Sequence, residues 1–127
     1  MPIRTELALR LPNSPGALAA VCRLLADERV NILALALDTA GQLRLVVDNP
    51  ARASTVLREQ HHQVAERNVI LTSLPNGAGA LAPVLTFVAD AGINLEYAYA
   101  SSAEGNETAA VVLGVDDAAR AAAAAGI

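Results

Sequence analysis

Residues 12–32 read PNSPGALAAVCRLLADERVNI, and residues 75–95 read PNGAGALAPVLTFVADAGINL. Set side by side without a gap, 10 of the 21 positions are identical, among them Pro12/Pro75, Asn13/Asn76, Gly16/Gly79, Leu18/Leu81 and Asn31/Asn94. Abundant alanine accounts for some of the matches. It does not account for the paired Pro-Asn, the Gly-Ala-Leu or the Asn that opens an apolar run. Self-similarity at a fixed offset, here 63 residues, marks two copies of one supersecondary unit. The expected division is 1–66 and 67–127. Units of that size bury little apolar surface alone, so the copies are expected to pack together.

Working outward, Ile3–Leu11 alternates apolar Ile3, Leu7, Leu9 and Leu11 with Arg4, Glu6, Ala8 and Arg10, the period of a half-buried strand. Ser14 is a good N-cap and Pro15 a good first helical residue. Leu18, Val21, Cys22 and Leu25 then fall on one helical face, matched by Leu81, Val84, Leu85 and Val88. Asn31 opens a second strand over 32–38, and Ala40-Gly41 turns into a third over 42–48. Asp48 or Asn49 caps a second helix that has Pro50 at its first position and ends near Gln60. A short strand at 63–66 would close the unit. The order is β-α-β-β-α-β, so the fold class is α+β: two ferredoxin-like units with antiparallel sheets and their helices on one face.

The second copy departs from the first in three places. Its hairpin loop, 101–107, is longer, and VDNPARA (47–53) matches VDDAARA (115–121) at an offset of 68, five residues more. Its first strand, 69–74, is apolar on both faces, which implies cover on both sides. The sequence reaches Ile127 as the fourth helix ends, so this copy is expected to lack its last strand. A bare edge is rarely left unpaired. A strand from copy one or from another chain is expected there, and with it a homo-oligomer, a dimer being favoured.

Composition narrows the function. The chain is 54% hydrophobic and 17% charged, which excludes disorder. No apolar run approaches the ~18 residues of a membrane helix, and the charged, strand-like start is not a signal peptide. One cysteine, Cys22, excludes an internal disulfide framework and suits a reducing cytoplasm. A net charge of −4 argues against nucleic acid or an anionic membrane as partner.

The pattern strand–PNxxGALAxV–helix–xNI–strand, carried by 11–32 and 74–95, resembles the ACT domain, a small regulatory module of amino-acid metabolism. The resemblance covers essentially the whole chain and is closest to stand-alone tandem ACT proteins without a catalytic domain. It implies side-by-side pairing of units with an amino acid bound at the junction, between the first strand–helix loop and the partner unit's neighbouring strand. The residues this selects are Asn13, Ser14, Gly16, Ala17 and Leu18 in the first loop, and Asn76, Gly77, Ala78, Gly79, Ala80 and Leu81 in the second. Asn31 and Asn94 join them at the starts of the second strands. Free N–H groups and the positive end of the helix dipole suit a carboxylate. Asparagines can serve both charged ends of an α-amino acid. Pro83 cannot donate to the carbonyl of Gly79, so the helix of copy two is expected to start near Ala80, leaving a more open loop. If one loop alone binds, the sequence favours that of copy two.

Plainer explanations stand beside these. Asn, Pro, Ser and Gly are what turns and caps require. Tyr97 and Tyr99 replace Ala34 and Ala36 on one strand face, either to stack on a ligand or to fill a joint between units. His61-His62 reads as a solvated helix end and Cys22 as core. Phe87, Tyr97 and Tyr99 are too few aromatics for an RNA-recognition sheet. One Cys and one Met are too few for a metal carrier, and no catalytic cluster is visible. The expectation is a cytoplasmic non-enzyme without cofactor or metal. It binds a small amino acid or related metabolite and signals by changed oligomer packing to a separate metabolic enzyme. The alternative is a ligand-free oligomerisation subunit for such an enzyme.

Overall fold

The computed structural model describes residues 3–125. Gly126 and Ile127, where the sequence reading ends its last helix and misses a closing strand, lie outside them. The elements are β1 (Ile3–Arg10), α1 (Ala17–Asp27), β2 (Ile32–Leu37), β3 (Gln42–Val47) and α2 (Pro50–Glu59), then β4 (Ala65–Pro75), α3 (Leu81–Asp90), β5 (Leu95–Ser101), β6 (Thr108–Val115) and α4 (Ala118–Ala125). They form two compact units. One is Thr5–Arg67, and the other takes in the residues from Asn68 on together with Ile3 and Arg4.

In the first unit the strands lie in the order β2-β3-β1, all antiparallel, with Leu7 opposite Leu45 and Leu9 opposite Leu43. Those four leucines point at the helices and meet Val21, Leu25, Val56 and Leu57 in a dry core. The period-two pattern of β1 and the i, i+3, i+4, i+7 pattern of α1 thus converge on one layer boundary. The alternation missed one thing. Glu6, on the other face of β1, is 0% exposed, with Oε1 3.5 Å from Nη1 of Arg44.

The second unit repeats the layout as β5-β6-β4, with Ile70, Val111, Leu113 and Val115 packed on Val84, Val88, Ala118, Ala121 and Ala122. The alanines of α4 let it lie close to its neighbours. Val69 and Ile70 are adjacent, point to opposite faces and are both fully buried, so this strand is covered on both sides. Ile3 packs against this core.

Two boundaries differ from expectation. There is no separate closing strand at 63–66. β4 runs unbroken from Ala65 to Pro75, because no proline, glycine or turn pair interrupts it. Ser14 does not cap α1. The N-cap is Gly16 at φ 82, with no side-chain cap, and α1 begins at Ala17. As expected from Pro83, α3 starts next to Ala80, which is its N-cap, with Leu81 first in the helix, one residue later than the corresponding point in copy one. The α2 cap is as expected, the Asn49 carboxamide oxygen accepting from the Arg52 N–H at 3.1 Å with Pro50 first in the helix.

The repeat also persists in how helices are fastened. Arg52 Nε donates to Glu28 Oε2 at 3.2 Å, and that carboxylate holds the guanidinium more firmly protonated than usual. Arg120, its counterpart, instead reaches the backbone carbonyl of Ala91. At the C-terminus of α1 the chain closes by N–H bonds from Arg29 to Ala26 and from Val30 to Leu25, with Arg29 in the left-handed region at φ 58. Copy two makes the same closure with Gly92 at φ 73. A non-glycine residue pays about 1–2 kcal/mol there, partly offset by the unfolded-chain entropy of glycine. Arg29→Gly is therefore expected to stabilise the protein by about 0.5–1 kcal/mol, read as a higher urea midpoint.

Candidate functional site

In copy one the chain leaves β1 through a tight loop. Ser14 N–H donates to the Pro12 carbonyl at 2.9 Å, and Ala17 N–H to that of Ser14 at 3.4 Å. Gly16 then reverses the backbone into α1. Copy two builds the same loop: Gly77 N–H to Pro75 at 3.0 Å, Ala80 N–H to Gly77 at 3.3 Å, and Gly79 at φ 77. The sequence identity is thus an identity of turn geometry.

Facing the first loop is the β2–β3 turn. Asp38 Oδ1 accepts from the N–H groups of Ala40 (2.9 Å) and Gln42 (3.0 Å), and Gly41 N–H donates to the Asp38 carbonyl at 3.1 Å. Leu11 N–H reaches the Gly41 carbonyl at 2.8 Å, and Arg10 Nη1 reaches that of Ala40 at 2.8 Å, so turn and loop are locked at their base. Above that base lies a cleft of about 380 Å³ between Pro12–Ala19 and Leu37–Gly41. Asn13, Ser14, Gly16, Ala17 and Leu18 line it, all five candidates of the first loop. Among the described residues no hydrogen-bond partner is found for the N–H groups of Leu18 and Ala19 at the start of α1. These donors, at the positive end of the helix, can take a carboxylate. The Asp38 carboxylate stands on the opposite wall, where it can meet an ammonium group.

On the other side of the same loop is a second, open cavity of about 550 Å³, with Arg23, Asp27, Gln60 and His62 among its walls. Sequence reasoning took none of these as binding residues, reading His62 as a solvated helix end, and it did not name Asp38 and Thr39 of the cleft. Asp38 was within reach of inference, since a four-residue turn after β2 must sit at the same end of the sheet as the loop after β1.

The remaining candidates are placed differently. Asn31 lies at the far end of β2 from the cleft, its N–H on Asp48 Oδ1 at 2.9 Å and its carbonyl accepting from Asp48 N–H at 3.0 Å. Six residues of strand, roughly 20 Å, separate the two ends. Asn94 occupies the equivalent far end of β5. Asn76 has both side-chain donors engaged, on the carbonyls of Ala103 (3.0 Å) and Asn106 (2.9 Å). Gly77, Ala78 and Gly79 are exposed in the second loop, and Ala80 and Leu81 begin α3. Tyr97 and Tyr99 stack on one face of β5, ring centroids 6.3 Å apart and 8° from parallel. Among the described residues no group of three His, Cys, Asp or Glu could hold a metal ion, and no helix is long and apolar enough to cross a membrane.

Two ferredoxin-like units, each with the same Pro-Asn-x-x-Gly loop after its first strand, make a paired fold, and the chain belongs to the ACT domain pair family, which matches residues 1–125. Among solved structures it is similar to protein BT0572 from Bacteroides thetaiotaomicron, at 32% identity over 97% of this chain and 86% of that one, with a TM-score of 0.87. It is also similar in fold to the ligand-free regulatory subunit of aspartate kinase from Thermus thermophilus (19% identity, 99% and 91% covered, TM-score 0.73). The corresponding subunit from Thermus flavus aligns at 17% identity, 99% and 95% covered, with a TM-score of 0.67. No curated protein matches.

Proposed function

We propose that this protein is a non-catalytic regulatory sensor that binds a small amino acid or related metabolite in the copy-one cleft. The observation that carries the reading is the pairing of free α1 N–H groups with the Asp38 carboxylate across about 380 Å³, opposite charges for the two ends of one α-amino acid. Sequence reasoning leaned to the loop of copy two; the engaged amide of Asn76 argues for copy one. Membership in the ACT domain pair family supports a regulatory role. The fold shared with aspartate kinase regulatory subunits supports a separate metabolic enzyme as recipient of the signal.

The cleft adjoins β2, whose sequence ILALAL carries no charge and whose Leu35 and Leu37 are 41% and 44% exposed. An uncharged apolar edge strand invites pairing. A second copy docking there would close the cleft and make ligand binding favour the associated state. The same edge also suits the alternative, a ligand-free oligomerisation subunit.

A thermal-shift screen against the twenty amino acids separates the two. A true ligand at about 100 times its Kd stabilises by ~2.7 kcal/mol, roughly several degrees for a chain of this size. The expected result is a shift with one or a few amino acids that is lost in Asn13→Ala. A folded oligomer that shifts with none of them would overturn the sensor and leave the oligomerisation subunit.

A further inference from the structure

The two copies share a loop but not the space in front of it. Copy two has five extra residues between its second strand and second helix, and they lengthen β5, β6 and the loop joining them. The β4–β6 ladder consequently runs past the point where its counterpart stops. In copy one pairing ends at Arg10 opposite Gln42, with one further bond from Leu11 to Gly41. In copy two it continues through Leu74 opposite Ala109 and Pro75 opposite Thr108, and then Asn76 N–H donates to the Glu107 carbonyl at 2.9 Å. The Asn76 carboxamide adds its two bonds to Ala103 and Asn106, and Asn106 N–H closes back on Ala103 at 3.0 Å. Asn13, at the matching place, makes no hydrogen bond among the described residues and lines the cleft instead.

We infer that the hairpin of copy two is a built-in occupant of its own binding position, latched by Asn76, so that each chain takes one ligand and takes it in copy one. The chemistry agrees. A carboxamide offers two donors, and here both are committed to backbone carbonyls of the hairpin, the kind of acceptor a ligand carboxylate would otherwise supply. A ligand entering copy two must break those bonds and lift a folded loop, whereas in copy one Asn13 makes no such bond among the described residues. The inference rests on the sensor reading for its ligand but not for its latch.

Two measurements test it separately. In the first, the protein is titrated calorimetrically with whichever of the twenty L-amino acids stabilises it. One ligand per chain is expected, weakened at least about tenfold by Asn13→Ala and changed less than about twofold by Asn76→Ala. Two ligands per chain, or a tenfold loss confined to Asn76→Ala, would overturn the inference while leaving the sensor intact. In the second, the side-chain amide protons of asparagine are followed by NMR in the ligand-free protein. Those of Asn76 are expected to exchange with solvent markedly more slowly than those of Asn13. Equal exchange would remove the latch even if no amino acid is found to bind, the result that removes the sensor.

Discussion

Gly114→Val should destabilise the protein by about 3 kcal/mol, the upper end of what overpacking a filled site costs. Gly114 pairs with Tyr97 across β5 and β6, and a Cβ placed there would lie within 2.5 Å of three carbons at the hydroxyl end of the tyrosine ring. The ring cannot retreat without giving up its stack on Tyr99. Copy one solves the same cross-strand position in reverse, with Ala34 opposite Val46. A large residue faces a small one in each copy, with the sides exchanged. Adding Tyr97→Ala to Gly114→Val recreates the copy-one pair, and the double variant should cost at least about 2 kcal/mol less than the two single changes summed. Chemical unfolding of the four proteins measures this. Strict additivity would mean that the Tyr97 ring does not occupy the space above Gly114.

Gly41→Ala should cost about 3 kcal/mol and Gly16→Ala about 1, although both glycines have nearly the same left-handed backbone, at φ 85 and 82. The difference is space. A Cβ on Gly16 meets nothing within 4 Å, so only the backbone preference is lost. A Cβ on Gly41 would lie 2.6 Å from the Leu11 carbonyl oxygen, backbone that cannot swing aside, in the segment that locks turn to loop. On the proposed sensor reading, Gly41→Ala should also weaken amino-acid binding beyond its effect on folding, because Leu37–Gly41 forms one wall of the cleft. Denaturant midpoints of the two variants decide the first point. Equal costs would show that the turn yields where the geometry says it is rigid.

The repeat made the architecture readable before any coordinates. The two helix faces, Leu18/Val21/Cys22/Leu25 and Leu81/Val84/Leu85/Val88, and the strand alternation all point to the layers the structure holds. What misled was local preference standing against a backbone requirement. Ser14-Pro15 looks like a helix start, yet Gly16 at φ 82 lies outside helical space and pushes the start on to Ala17. What could not be read depends on partners distant in the chain. Glu6 looked solvent-facing because its partner Arg44 is 38 residues away. The exchange of Ala34/Val46 for Tyr97/Gly114 shows only once the strand register is known. The longer hairpin of copy two was visible as a length, but not that it folds back onto Asn76. For the site, the first loop was legible as a motif, while its opposite wall, Asp38, belongs to no motif at all.

The two helix fastenings separate the halves of the chain by their response to dissolved ions. Arg52 and Glu28 are both partly in solvent, with side chains 47% and 33% exposed, and the attraction between two such full charges fades as counter-ions crowd in. Arg120 leans on a neutral carbonyl, a short-range contact that counter-ions hardly touch. Rising ionic strength therefore weakens the ion-pair tie between α1 and α2 while leaving the tie between α3 and α4. Since α1 also supplies the open N–H groups of the cleft, the half of the chain proposed to take the ligand is also the half whose helix tie responds to the salinity around it.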